Sequence, residues 1–361
     1  MDEPLPAMAR KGRGAVSNAT GRFEPEIRIL TDDGWGSGDE DAPPLQTQYL
    51  RDTAKSVITR NQSPDIGFDR SINPYRGCEH GCVYCFARPT HAYLGLSPGL
   101  DFESRIFVKE DAPELLREEL SRPGYRPKPI ALGVNTDAYQ PIEKKRQLTR
   151  RILEVLLEFR HPVTVITKSA LVQRDIDILS EMARLHLVSA AVSVTTLDRV
   201  LARKMEPRAA TPERRLDTIT VLAQAGIPVT VMAAPMIPAL NDAELETIIE
   251  TAAKRGASAA GYTMLRLPLE LAPMFEDWLN THVPGKAKHV MSLIRQTHGG
   301  KIYQSQWGTR MRGSGAYAEM LRIRFERALH RLGLDRGRES RQLDCSIFRT
   351  PLQTDRQLSL F

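Results

Sequence analysis

The sequence predicts an α/β protein built on a sheet of parallel strands, on three observations. Short runs of β-branched and small apolar residues alternate with helical stretches between about residue 66 and about residue 265, the order that strand–helix–strand units impose on a chain. The rhythm stops after about residue 285, and the first 50 or so residues have the composition of an unpacked segment. The 361 residues are 41% hydrophobic and 26% charged, enough for a buried core in one large domain or two ordinary ones.

Taken in order, residues 129–135 (PIALGVN) read as a buried strand. Residues 142–159 read as a helix, because Leu148, Ile152, Val155, Leu156 and Phe159 recur on one helical face. Val163–Thr167 (VTVIT) is the next strand, 172–185 the next helix and 190–195 (AAVSVT) the next strand. Thr211-Pro212-Glu213 reads as an N-cap followed by proline at the first helical position, and Gly226 as the stop. Residues 229–233 form a strand, 242–255 a helix stopped by Gly256, and 259–265 a further strand. Such units fit a doubly wound sheet or a complete or partial barrel; in either, ligands belong at the carboxyl ends of the strands.

Outside this core, 289–298 and 316–332 read as helices, and 335–361 as a polar, Arg-rich, loosely held tail. The opening segment carries Gly-Arg-Gly at 12–14, Gly-Trp-Gly-Ser-Gly at 34–38 and the acidic run Asp39-Glu40-Asp41. Such composition buries too little apolar surface to offset chain entropy, apart from a short strand near 26–30. The expected organisation is a largely disordered segment over 1–55, the α/β core over 56–285 and a basic helical extension over 286–361.

The net charge of +6 is unevenly placed. Residues 301–361 hold 12 Lys and Arg against 6 Asp and Glu, whereas the first 50 residues hold 5 against 9. A basic tail can meet the phosphates of a nucleic acid, or it can be the solvated face of a helix. No stretch approaches the roughly 18 uncharged apolar residues of a membrane span. The acidic start Met1-Asp2-Glu3-Pro4 lacks an apolar signal region. The expectation is a cytoplasmic protein with no membrane partner.

Three of the four cysteines fall within Cys78-Glu79-His80-Gly81-Cys82-Val83-Tyr84-Cys85; the fourth is Cys345. Clustered thiols in a reducing compartment point to a metal rather than to disulfides. The spacing C-x3-C-x2-C lets three thiolates from one loop grip three irons of an iron–sulfur cubane, leaving one iron open to a ligand. Gly77 and Gly81 allow tight turns between the ligands. Two other readings stand beside this one. A zinc site would recruit His80, His91 or Cys345, and an electron-transfer cluster would need Cys345 as its fourth ligand.

At these residues the chain resembles the radical S-adenosylmethionine superfamily, whose hallmark is this loop with an aromatic residue before the third cysteine, here Tyr84. From about residue 66 to 265 it resembles the spore photoproduct lyase-like branch, whose substrates are mostly unknown. The resemblance implies a partial (β/α)6 barrel and a [4Fe-4S] cluster on Cys78, Cys82 and Cys85. It implies S-adenosylmethionine on the open iron and an electron donor such as flavodoxin or ferredoxin. It also implies reductive cleavage of the cofactor to methionine and a 5′-deoxyadenosyl radical, which takes a hydrogen atom from the substrate, nucleic acid being one candidate. Cofactor contacts carry over onto Tyr84, Asn135, Thr136, Asp137, Lys168, Ser193, Glu206 and Ala234. Tyr139 is a candidate to face the substrate. Spore photoproduct lyase uses a cysteine as hydrogen donor where this chain has Val134. That argues against the spore lesion as substrate, unless Cys345 or a tyrosine supplies the hydrogen. The alternatives are a radical enzyme acting on a peptide or small metabolite, and a non-enzymatic iron–sulfur or zinc module.

Overall fold

The computed structural model describes residues 8–25, 27–28, 45–335 and 342–351. Among these residues ten strands occur in chain order: β1 (Gln48–Arg51), β2 (Ile58–Arg60), β3 (Arg70–Ile72), β4 (Tyr75–Arg76), β5 (Arg105–Val108), β6 (Ile130–Leu132), β7 (Val163–Thr167), β8 (Val188–Ser193), β9 (Val229–Met236) and β10 (Ala259–Met264). Seven form one sheet in the order β10-β9-β8-β7-β6-β3-β2. Every pairing from β3 to β10 is parallel, and β2 adds an antiparallel edge with Thr59 opposite Ser71. This is the partial barrel of six parallel strands. The remaining three strands form a small sheet, β1-β5-β4.

The alternation within the strands sets the two faces of the barrel. In β7, Val163, Val165 and Thr167 are buried while Thr164 and Ile166 are half-exposed; β9 alternates in the same way over its first five residues. The buried set packs with Leu148, Ile152, Leu153 and Leu156 of the helix Leu148–Glu158 and with the equivalent faces of the other helices in one continuous core. The other face carries mostly small and polar residues, among them Thr164, Ser189, Thr230, Gly261 and Thr263, with Ile166 and Met232 beside them, all half-exposed. At Gly261 a Cβ would stand 2.8 Å from the Met232 sulfur. The concave side is therefore open, and space for a ligand exists where a filled barrel would hold branched side chains.

The elements differ from expectation where distant partners intervene. The helix expected over 142–159 is two helices, Glu143–Arg146 and Leu148–Glu158, broken at Gln147 with φ 51°. The buried Glu143 carboxylate causes the break: it accepts from Tyr75 Oη (2.5 Å) and Thr149 N (3.1 Å) and pairs with Arg174. The expected helix at 172–185 opens with a 3-10 turn, Ala170–Asp175, and the one at 242–255 with Asp242–Glu244. Thr211 is at the N-cap as expected but makes no capping hydrogen bond with its side chain. The helix expected at 289–298 starts earlier, Pro284–Thr297, and is preceded by an unexpected one, Leu271–His282.

Parts of both termini expected to be loose are packed. Within 1–55, Arg13, Ala15, Val16 and Ser17 are buried, and β1 pairs with β5. The acidic run at 39–41 and most of the expected strand near 26–30 lie outside the described residues; residues 27 and 28, which are described, are not in a strand. In the tail, Asp344 N donates to His186 O (2.9 Å) and Phe348 sits among Tyr125, Phe159 and His161. Chain composition understates order here because the partners come from far along the chain.

Candidate active site

The carboxyl end of β3 leads through Asn73 and β4 into the cysteine loop. Asn73 Oδ1 accepts the backbone N–H groups of Asn135 (2.8 Å) and Thr136 (3.4 Å), tying the loop's stem to the end of β6. Gly77 and Gly81 adopt φ of 80° and 67°. A Cβ on Gly77 would lie 2.8 Å from Phe102 O, and one on Gly81 2.7 Å from Glu103 Oε2, so only glycine fits either place. Cys78 and Cys82 are buried, Cys85 is half-buried, and all three thiols are free.

The thiols lie within one another's electrostatic field. Burial pushes the Cys78 thiol well up, and Asp137 and Cys82 add to the shift; the N–H of Asp137, hydrogen-bonded to this sulfur, works the other way. Burial also raises Cys82, with Glu206 adding and Lys168 opposing. Thiols so placed resist ionising unless a metal shares the site, because the bound ion is then the largest local charge. The donor set fits an iron–sulfur cluster: three thiolates from one loop, sheltered from water, with a hydrogen bond to one sulfur and a lysine nearby.

Each imidazole that a zinc site would recruit has one ring nitrogen placed against the protein, a contact that by itself leaves the other nitrogen able to take a metal. His80 Nδ1 lies 3.3 Å from Asp137 Oδ2, and His91 Nε2 sits 3.1 Å from Arg105 O with its ring edge-on to Phe102. Cys345 is excluded by position. Its segment hydrogen-bonds to His186 and Phe159, which precede β8 and β7, so it lies at the amino ends of the strands. The cysteine loop lies at the carboxyl ends. Cys345 therefore serves neither as a fourth ligand nor as a hydrogen donor.

The eight expected cofactor residues divide into two groups. Asp137, Thr136, Glu206 and Tyr84 are engaged by the protein itself. Asp137 accepts from Tyr139 N (2.9 Å), Thr167 Oγ1 (2.7 Å) and Lys168 N (2.7 Å), joining the ends of β6 and β7. Burial alone would raise its carboxyl, but the His80 imidazole and these donors hold it at about 2. Thr136 Oγ1 donates to Tyr75 O (3.1 Å). Glu206 is paired in the interior with Arg215 and accepts from Tyr84 Oη and from Thr195 Oγ1 (2.7 Å). Arg215 also reaches Ser193 O (3.1 Å), so the end of β8 is bound into the same group.

Lys168, Asn135, Ser193 and Ala234 make the second group. Among the described residues the Lys168 ammonium has no carboxylate within ion-pair reach, and it stands 5.9 Å from the Tyr84 ring centroid. Asn135 is exposed, and Ala234 is half-exposed on the concave side with its carbonyl accepting from Thr195 Oγ1 (3.1 Å). Tyr139 does not face the substrate. It is buried, and its hydroxyl donates to Asp175 Oδ2 (3.0 Å).

Asn73, Arg215, Arg88 and Glu103 were not expected from sequence. The partners of these side chains lie up to 89 residues away, and nothing periodic marks them. Arg266 is a further one. It is half-buried, its guanidinium sits 4.6 Å from the Phe86 ring, and Cys85 and Tyr303 lie in its electrostatic reach. The nearby acid, Asp65, is taken by Gly308 N (2.6 Å) and Arg310. This contact also shows what the 303–315 segment does. Met264 N donates to Met311 O (2.8 Å) at the edge strand β10, and Asp65 lies between β2 and β3. The segment thus spans the open side of the barrel.

The sequence model of the Radical SAM superfamily matches residues 72–252. A protein of Mycobacterium tuberculosis (strain ATCC 25618 / H37Rv) described as uncharacterized is 38% identical over 64% of this chain and 68% of its own. Another, from Methanocaldococcus jannaschii, is 29% identical over 55% of this chain and 71% of its own. Among solved structures, spore photoproduct lyase complexed with dinucleoside spore photoproduct superposes with a TM-score of 0.56 at 14% identity, over 79% of each chain. At that identity the likeness is one of fold.

Proposed function

The chain belongs to the Radical SAM superfamily, an enzyme class that uses a [4Fe-4S] cluster and S-adenosylmethionine, and from that membership we propose an enzyme that cleaves this cofactor reductively and removes a hydrogen atom from an anionic substrate. The observation that carries the reading is the sheltered loop of Cys78, Cys82 and Cys85 at the carboxyl end of β3, opening on a concave face lined with small residues. The cluster and cofactor together supply one-electron cleavage of a carbon–sulfur bond and hence hydrogen-atom abstraction. The chain's residues do the rest. The three thiolates hold the cluster, and Lys168 meets the cofactor's carboxylate while Asn135 and Ser193 orient its polar groups. Asp137 and Glu206 hold the strand ends in place. Ala234 leaves room for the adenine. The electron comes from a protein reductant of the flavodoxin or ferredoxin kind, in a cytoplasmic setting.

An anionic substrate is favoured because Arg266 has no ion-pair partner among the described residues and Lys168 is already assigned to the cofactor. Nucleic acid is the first candidate, since Phe86 and the exposed Trp307 offer rings for base stacking beside arginine. A small anionic metabolite is the second, favoured by the pairing of Arg322, Arg324 and Arg331 with acidic neighbours, which leaves the tail helix little free charge for phosphates.

The test is anaerobic reconstitution with iron and sulfide, reduction with dithionite and assay for 5′-deoxyadenosine. Product from the wild type and none from Cys82→Ala is the expected result. A well-formed four-iron cluster without product would return the chain to the non-enzymatic reading, and a site that takes zinc and refuses iron would refute the cluster. An oligonucleotide that binds with a steep salt dependence and stimulates turnover would favour the first substrate class.

A further inference from the structure

Residues 8–25 lie against the cysteine loop, and one buried side chain hydrogen-bonds the segment to the residues that hold the loop. Glu103 accepts Gly14 N on Oε2 (2.9 Å) and Ala15 N on Oε1 (2.8 Å). The same carboxylate pairs with Arg88, both side chains being fully buried. Arg88 in turn gathers the loop: Nε donates to Cys82 O (2.8 Å), Nη2 to Gly81 O (3.1 Å), and Nη1 to Pro98 O (3.0 Å) and Gly99 O (2.9 Å). The segment, the carboxylate, the guanidinium and the ligand loop are thus joined in series.

Sterics support the same connection. A Cβ on Gly14 would stand 1.7 Å from Gly81 O, and one on Gly81 2.7 Å from Glu103 Oε2. Glycine on both sides is what lets the two backbones and the carboxylate meet. Val16 is buried in one cluster with Cys82, Val83, Tyr84 and Leu267. Arg13 anchors the segment sideways, donating to Glu103 O (2.7 Å), Leu45 O (2.7 Å) and Thr47 Oγ1 (3.1 Å). Farther along, Asp101 N donates to Asn18 Oδ1 (3.1 Å) and Ser97 Oγ to Ala19 O (2.5 Å).

We propose that residues 8–25 form a strap that belongs to the cluster site, and that Glu103 is the positioning residue through which the strap fixes the ligand loop. The inference rests on the reading of Cys78, Cys82 and Cys85 as cluster ligands. The carbonyls of Gly81 and Cys82 are oriented by Arg88, Arg88 is held by Glu103, and Glu103 also accepts the strap's two amides. Removing the strap leaves a buried carboxylate short of donors and exposes the loop's outer side to water. The expected consequence is a looser loop and a cluster that leaves the protein more readily.

The test uses the full chain with two variants. Glu103→Gln keeps the shape and one acceptor oxygen but turns an NH2 group toward one of the strap's N–H groups. Gly14→Ala leaves the loop's own sequence unchanged and prevents docking from the strap side, because its added Cβ cannot share space with Gly81 O. Hydrogen exchange of the cluster-free protein is read at residues 14–15 and 78–88, with thermal melting to confirm that the barrel is folded. After reconstitution, iron retained through gel filtration and the electron paramagnetic resonance of the reduced cluster are compared. In both variants we expect exchange at least tenfold faster in both segments, less retained iron and an altered resonance. A released strap with loop exchange, iron and resonance as in wild type would overturn the proposal and leave the strap a simple cover. Unchanged exchange at 14–15 in both variants would overturn it too. A wild type that forms no four-iron cluster would refute the cluster reading, while the exchange data still decide whether strap and loop are coupled.

Discussion

Asp137 shows how one carboxylate can frame a site. Its oxygens take donors from Tyr139, Thr167 and Lys168, and its own N–H reaches the Cys78 sulfur. With its folded pKa held at about 2, below the ordinary value of 3.8, the ionised form stabilises the fold above about pH 4. That stability is lost as pH falls through about 2, on the order of 2 kcal/mol in all. Asp137→Asn should therefore lower stability at pH 7 and flatten its fall between about pH 4 and 2, as measured by urea midpoints of the two proteins against pH. An equally steep fall in the variant would show that other carboxylates carry the acid sensitivity. Lys168, with no carboxylate in ion-pair reach among the described residues, is the residue we propose for the cofactor. Lys168→Met should raise the KM for S-adenosylmethionine about tenfold or more, roughly 1.4 kcal/mol, with iron content unchanged. A normal KM would make it a bystander.

At the scale of elements, the strands carry both structure and site because their two faces do different work. One face is packed against helices and the other is left small and open. The turn after β6 is a tight point in this arrangement. Gly133 adopts φ 87°, and a Cβ there would stand 2.7 Å from Ile166 O on the neighbouring strand. Gly133→Ala should cost about 1–3 kcal/mol through backbone strain and this clash, read as a lower urea midpoint. A midpoint within error of wild type would mean the turn relaxes. The helix Gly315–Leu332 carries part of the basic charge of the tail. Arg324 pairs with Glu246 and Arg331 with Glu250 across to the helix Leu245–Lys254, and Arg322 pairs with Glu319 and Glu326 on its own helix. Such exposed pairs add little stability, but they occupy three of the arginines that sequence alone left open to phosphate.

In the whole molecule, the barrel is incomplete and is closed by pieces from outside it. The strap covers the cysteine loop, and residues 303–315 run from β10 to the loop between β2 and β3. Arg310 is therefore a fastener and not a free cation: it pairs with Asp65 and donates to Ser63 Oγ (2.5 Å). Asp65→Asn should loosen this crossing and speed tryptic cleavage after Arg310 and Arg312 severalfold, with cleavage elsewhere unchanged. Equal cleavage would mean that Met264 and Met311 hold the segment by themselves. Among the described residues no helix is long and apolar enough to cross a membrane.

The sequence by itself determined the class of fold and singled out the three cysteines that we propose as cluster ligands. Strand and helix periods are set by neighbours two to four residues apart, and a ligand loop of eight residues carries its spacing in the chain. Most strands and helices between 129 and 265 were legible for that reason, as were Cys78, Cys82 and Cys85. Only the tertiary structure decided which polar residues frame the site and which are free to bind. Glu206 and Lys168 are both charged residues near the carboxyl ends of strands, and the position of Arg215 is what draws Glu206 into the interior. Tyr139 lies two residues from Asp137, yet Asp175 draws it into the interior. Gly-Arg-Gly at 12–14 has the composition of a loose segment, yet it docks because Glu103 and Gly81 wait some 70 to 90 residues away. Burial and charge pairing are sums over partners distant in the chain, and no local pattern encodes them.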